Sequence, residues 1–171
     1  TSSRLWDIYG DKIISVCENL REHLIQELGI RPTKIVNLPN SIVSETVVTP
    51  KAGFPAEPLI LVAGRFSGPK GERIVQFLHE VAPTILQQTN CKIAIAGGEL
   101  SRLGESGIQI FESLSRQFPA RLESYGFVND LPKLLQQAWL VVASGRIAME
   151  AILQGTLVVA LGESVSHQVV T

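Results

Sequence analysis

Two cations stand five residues apart on the glycine-rich stretch Gly64-Arg65-Phe66-Ser67-Gly68-Pro69-Lys70-Gly71, directly after the apolar run Leu59–Ala63. Arg65 offers a planar fork of donors and Lys70 a compact point charge, and both suit phosphate oxygens. Gly64, Gly68 and Gly71 let the backbone approach such a ligand closely. Two charge-assisted contacts of about 1.5–3 kcal/mol each would give a diphosphate roughly two to four decades of affinity. The stretch is not a Walker A loop: Gly71 stands where that loop needs Ser or Thr, so a hydroxyl to hold Mg²⁺ is missing. Taken alone, the two charges read equally well as solvated loop cations.

A second group lies in VVASGRIAMEAILQGTLVVA. After the strand-like Leu140–Ala143, the turn Ser144-Gly145 opens a helix whose Ile147, Ala148, Ala151 and Ile152 are expected to face the core. The free amides near Gly145 make an anion site, and Arg146 beside them adds a cation. Glu150, four residues on, is placed to accept from a ribose diol. The plainer reading is an exposed Arg146–Glu150 pair that stabilises the helix by a few tenths of a kcal/mol.

The elements that must position these groups are short apolar runs alternating with helical segments. The runs are Lys12–Cys17, Lys34–Leu38, Leu59–Ala63, Lys92–Ala96, Leu122–Gly126, Leu140–Ala143 and Leu157–Leu161. Such alternation implies βαβ units and a parallel sheet. Between the strands, Ile74, Phe77, Leu78, Val81 and Ile85 follow the spacing of one helix face, with Pro83 expected to interrupt it. Leu20, Leu24, Ile25 and Leu28 do the same, and Gly29 supplies a stop. Residues 41–58 carry three prolines and no helical period, which reads as a linker.

Composition removes several function classes. The 171 residues carry 15 Lys+Arg against 16 Asp+Glu, a net charge of −1, so bulk electrostatics favours no nucleic-acid or membrane-surface partner. No run is long and apolar enough for a transmembrane segment. The opening TSSRLWDIYG lacks a signal pattern, which makes a cytoplasmic location the default. Cys17 and Cys91 lie in or beside apolar runs and are expected to pack as small hydrophobes, as are Trp6 and Trp139. His23, His79 and His167 have no ligand-spaced neighbours and read as surface residues, and no metal is expected. Ser144 is not in a nucleophile elbow and has no evident base.

In order along the chain, ISVCENLREHL, LPNSI, GRFSGPKG, IAIAGGE, YGFVNDL and MEAILQGTLVV resemble the motifs of a known family. That family is the GT-B-fold glycosyltransferases of the group 1, family 4-like class, and the similarity is to their carboxyl-terminal, donor-binding domain. The resemblance implies an α/β fold, a Rossmann-like parallel sheet flanked by helices that is half of a GT-B fold. It implies residues 1–40 as a strand-helix-strand remnant of an acceptor domain, 41–58 as linker and 59–171 as the donor domain, incomplete at its end. On this basis Gly64, Arg65, Lys70, Gly145 and Arg146 bind the diphosphate of a nucleotide-sugar, Phe127 and Val128 meet the base, and Glu150 holds the ribose. The donor, a UDP-sugar by preference, is a substrate, so no separate cofactor is implied; the acceptor is a sugar, lipid or protein.

Two departures qualify what the resemblance implies. Many family members carry a paired-glutamate motif whose first acid contacts the sugar, whereas this chain has Ala143-Ser144-Gly145 there, with no acid. The chain also resembles an excerpt, so the strand Lys12–Cys17 is expected to have lost its home sheet. Its free edges would invite pairing with another chain, by self-association, or with another edge of this one. The catalytic group is unassigned, and the excerpt is expected to bind donor without turnover. Two other readings stay open: a nucleotide-sugar 2-epimerase-like isomerase, and a non-catalytic binding module that has kept the fold.

Overall fold

The structure, a computed structural model, describes residues 10–42, 53–161 and the backbone of 166–170. The chain forms two compact units, Thr1–Val43 and Ser44–Thr171.

The first unit is a strand-helix-strand. Strand β1 (Ile13–Ser15) runs into helix α1 (Glu18–Gln26), and after a 3₁₀ turn at Pro32–Lys34 the chain returns as β2 (Ile35–Asn37). The strand of Lys12–Cys17 is therefore shorter than its apolar run, and its partner is β2, paired in parallel with Ile13 opposite Ile35. Ser15, fully buried, donates its hydroxyl to Asn37 Oδ1 at 3.2 Å, and Asn37 Nδ2 donates to Glu18 Oε2 at 3.0 Å. The apolar stripe of α1 does not find a core among the described residues: the helix buries no residue, and Leu20 and Leu28 are exposed. Cys17 is exposed too, because β1 ends before it, while Cys91 is buried as expected.

The second unit is built on a six-stranded sheet. Its strands are β3 (Leu59–Ala63), β4 (Lys92–Ala96), β5 (Leu122–Gly126), β6 (Leu140–Ala143), β7 (Leu157–Leu161) and β8 (Ser166–Val170). The order is β5-β4-β3-β6-β7-β8, parallel except for the antiparallel edge strand β8. Strand residues alternate between two buried faces, as parallel sheets covered on both sides require. Ile60, Val62, Ile93 and Ile95 pack beneath α2 (Gly68–Glu80), α3 (Ala82–Gln88) and α4 (Gly104–Gln117). Leu61, Ala63, Val141, Ala143 and Val158 pack beneath α5 (Leu131–Gln137) and α6 (Arg146–Leu153).

Local sequence explains the breaks. Helix α2 buries Ile74, Phe77 and Leu78 and stops ahead of Pro83, which lies in the first turn of α3. Val81 falls at that junction and is exposed instead of joining the helix face; Ala82 takes the buried place. In α6 Ala148 and Ala151 are buried but Ile152 is exposed, so the core-facing stripe is narrower than its apolar residues suggested. The linker's residues 43–52 lie outside the described residues. Its last residues pack on the second unit: Phe54 meets Trp139 edge-on at 4.7 Å, and Glu57 pairs with Lys92 at 2.7 Å. His23 and His79 are exposed; Trp6 and the His167 side chain lie outside the described residues.

Candidate functional site

The sheet of the second unit is wound in two directions from its middle: β3, β4 and β5 run one way, and β6 and β7 the other. Such an order leaves a crevice beyond the carboxyl ends of the strands where the direction reverses, and ligands of open α/β sheets bind there. The reversal lies between β3 and β6, paired in parallel with Ala63 opposite Ala143. The loop after β3 is the Gly64–Gly71 stretch and the loop after β6 is Ser144-Gly145, so both groups singled out in the sequence border one crevice.

A narrow cleft joins them, lined by Gly64, Lys70, Arg73 and Ile74 on one side and Ala143, Ser144 and Leu161 on the other. Lys70, on the first turn of α2, places its ammonium 3.9 Å from the position that a Cβ on Gly145 would take. Gly145 adopts φ +60 and ψ −132 as it opens α6, a conformation suited to glycine alone. It has no side-chain cap, so the first amides of α6 keep their donors for a ligand. Arg65 is exposed beside Gly64, and neither Arg65 nor Lys70 has a hydrogen-bond or ion-pair partner among the described residues. Lys70 thus brings to the cleft a cation without a partner among the described residues, next to Gly145 at the start of α6.

The glycines divide by purpose. A Cβ on Gly71 would lie 2.6 Å from the carbonyl oxygen of Phe66, and one on Gly97 would lie 2.1 Å from that of Gly64. Both are demanded by internal packing: the backbone of the buried Phe66 lies against Gly71 in α2, and the backbone of Gly64 lies against Gly97. That packing, and not a ligand, is why Gly71 stands where a Walker loop has a hydroxyl. Gly64 is the open one: the nearest atom to its Cβ position is Ile74 Cδ1 at 3.9 Å.

Arg146 is paired along its own helix. Its Nε–H donates to Glu150 Oε1 at 2.7 Å, so the pair read from spacing is formed. Phe127 and Val128 follow β5, at the far edge of the parallel strands. Phe127 is 79% exposed, whereas Val128 packs on the same buried cluster as Ile147 of α6. Asp130 ends that loop by accepting from the Lys133 amide at 3.2 Å and caps α5. The sequence reading missed Arg73, which lines the cleft one turn after Lys70; an i, i+3 pair of cations was the available signal.

The sequence profile described as "Glycosyl transferases group 1" matches residues 57–170. The chain belongs to this family. Its Rossmann-like fold matches part of solved glycosyltransferase structures of the GT-B fold. A structure of Anabaena Alr3699/HepE with UDP and glucose matches at TM-score 0.64 and 19% identity, over 88% of this chain and 44% of that one. A mutant of S. aureus TarM, in complex with Fondaparinux, alpha-GlcNAc-glycerol and UDP, matches at TM-score 0.65 and 17% identity, over 88% and 29%. A glycosyltransferase from Rickettsia africae matches at TM-score 0.65 and 16% identity, over 92% and 47%. The chain therefore spans less than half the length of these relatives. No curated protein matches it in sequence. Among the described residues no helix is long and apolar enough to cross a membrane.

Proposed function

We propose that the second unit is the nucleotide-sugar site of a glycosyltransferase that moves a sugar from a nucleotide diphosphate to an acceptor, with a UDP-sugar as the favoured donor. The observation that carries the reading is the meeting of Lys70 and Gly145 across the sheet's reversal point. Arg65, Lys70 and the first amides of α6 bind the diphosphate and stabilise the negative charge that grows on it as the sugar leaves. Gly64 lets the phosphates approach the strand end. The backbone of Phe127 and Val128 meets the base, and Glu150 accepts from the ribose. UDP in two of the structurally similar enzymes supports the choice of base.

Among the described residues, none that lines the cleft is a carboxylate or a histidine. The reading gives these residues donor binding and charge stabilisation, and assigns no group to deprotonation of the acceptor. The first unit belongs, on this reading, to an acceptor-binding domain, and the enzyme works in the cytoplasm. The test is calorimetric titration with UDP, GDP and inorganic pyrophosphate. The expected result is pyrophosphate binding that the nucleotides exceed; binding of none of the three refutes the reading.

A further inference from the structure

The Arg146–Glu150 pair is poorly arranged as a helix stabiliser. Arg146 is the first residue of α6, where a cation opposes the partial positive charge of the helix end. The favourable order along a helix also puts the acid first, and here the arginine comes first. Yet the contact is short, 2.7 Å, with the arginine side chain 74% exposed and the glutamate 21% exposed. It uses one carboxylate oxygen and leaves Oε2 without a hydrogen-bond partner among the described residues. The half-buried partner is thus fixed by an exposed one, and the fixed group keeps a free acceptor.

We propose that Arg146 is a positioning residue and not a phosphate ligand. By holding Oε1 it locks the Glu150 carboxylate so that Oε2 receives hydrogen bonds from the ribose hydroxyls of the nucleotide. This rests on the donor-site reading above and assigns to Arg146 a different part from the diphosphate contact expected from sequence. An unheld glutamate must surrender rotamer freedom when the nucleotide binds, and a held one has already done so. Loss of the arginine therefore weakens nucleotide binding by about two- to tenfold. Loss of the glutamate, which removes the acceptor itself, weakens it by roughly ten- to a hundredfold.

The experiment is a double-mutant cycle of Arg146→Ala and Glu150→Ala, read by calorimetry with UDP and with 2′,3′-dideoxy-UDP. The expected result is an Arg146→Ala loss that is larger for UDP than for the dideoxy nucleotide and disappears in the Glu150→Ala background. Arg146→Lys, which keeps the charge, recovers most of the loss. An equal loss for both nucleotides, a loss that persists without Glu150, or no loss at all overturns the assignment. Lys70→Ala separates the donor site from the role of Arg146 within it. Failure of the wild type to bind UDP overturns the donor site and this inference together, whereas UDP binding that Lys70→Ala weakens, with no Arg146–Glu150 coupling, overturns this inference alone.

Discussion

Gly71→Ala sets two opposing effects against each other on one residue. Gly71 lies in the first turns of α2, where replacing glycine by alanine normally adds about 0.8–1 kcal/mol of helix stability. The new methyl, however, would lie 2.6 Å from the Phe66 carbonyl oxygen and 2.7 Å from its carbonyl carbon. These are backbone atoms of a residue only 2% exposed, so they move only if the whole Arg65–Phe66 segment moves. Overpacking of this kind costs about 1–3 kcal/mol. Contact with backbone puts the cost at the upper end of that range, about 2–3 kcal/mol, so the net expectation is destabilisation by about 1–2 kcal/mol, together with weaker UDP binding because Arg65 shifts with the loop. Urea unfolding followed by circular dichroism reads the first as a lower midpoint at unchanged slope. Gly64→Ala is the control: its methyl meets nothing closer than 3.9 Å, so stability holds while the methyl intrudes on the cleft and nucleotide binding falls. A midpoint for Gly71→Ala equal to or above that of the wild type would refute the claim that Phe66 packing sets the loop.

Gly97→Ala meets the Gly64 carbonyl at 2.1 Å from a backbone with φ +126, so it should cost on the order of 4 kcal/mol, seen as collapse of soluble yield and of the thermal transition. Arg121 donates to the carbonyls of Leu86, Thr89 and Cys91 and ties the end of α3 to the start of β5. Arg121→Ala should lower stability by about 2 kcal/mol, or roughly 4–8 °C in Tm, and Arg121→Lys should recover part of it. The hydrogen bond and charge of Lys92 hold the Glu57 carboxyl below its usual range, and Glu57 in turn raises Lys92. The acid's contribution is present above its unfolded value and lost as pH falls through the lower folded one; the lysine's is present below its unfolded value and lost as pH rises through the higher folded one. Both side chains are well exposed, so Glu57→Gln should lower the urea midpoint only slightly at neutral pH, with the difference vanishing in acid and in high salt.

The parallel strands of the second unit were legible because each is a short apolar run bounded by polar or glycine residues, and β3 to β7 begin and end where the runs do. The break at Pro83 was legible from the missing N–H of proline. Exposure was harder to read. Ile152, Val81 and Cys17 are apolar by type, but each sits beyond the edge of a packing surface that only the tertiary arrangement defines. The cleft was legible as two separate loops; their meeting depends on β3 pairing with β6, a contact between segments far apart in sequence. The need for glycine at 71 and 97 was hidden for the same reason, since the clashing atoms belong to Phe66 and Gly64. Arg73 was missed because no loop or glycine marked it.

If the crevice between β3 and β6 holds a nucleotide diphosphate, Lys70 is one of the charges that hold it there. Calorimetric titration of the wild type and Lys70→Ala with UDP tests this most directly. The expected result is binding by the wild type and a loss of about 1.5–3 kcal/mol in the variant, roughly ten- to a hundredfold in Kd. Equal UDP affinity in the two proteins would contradict it.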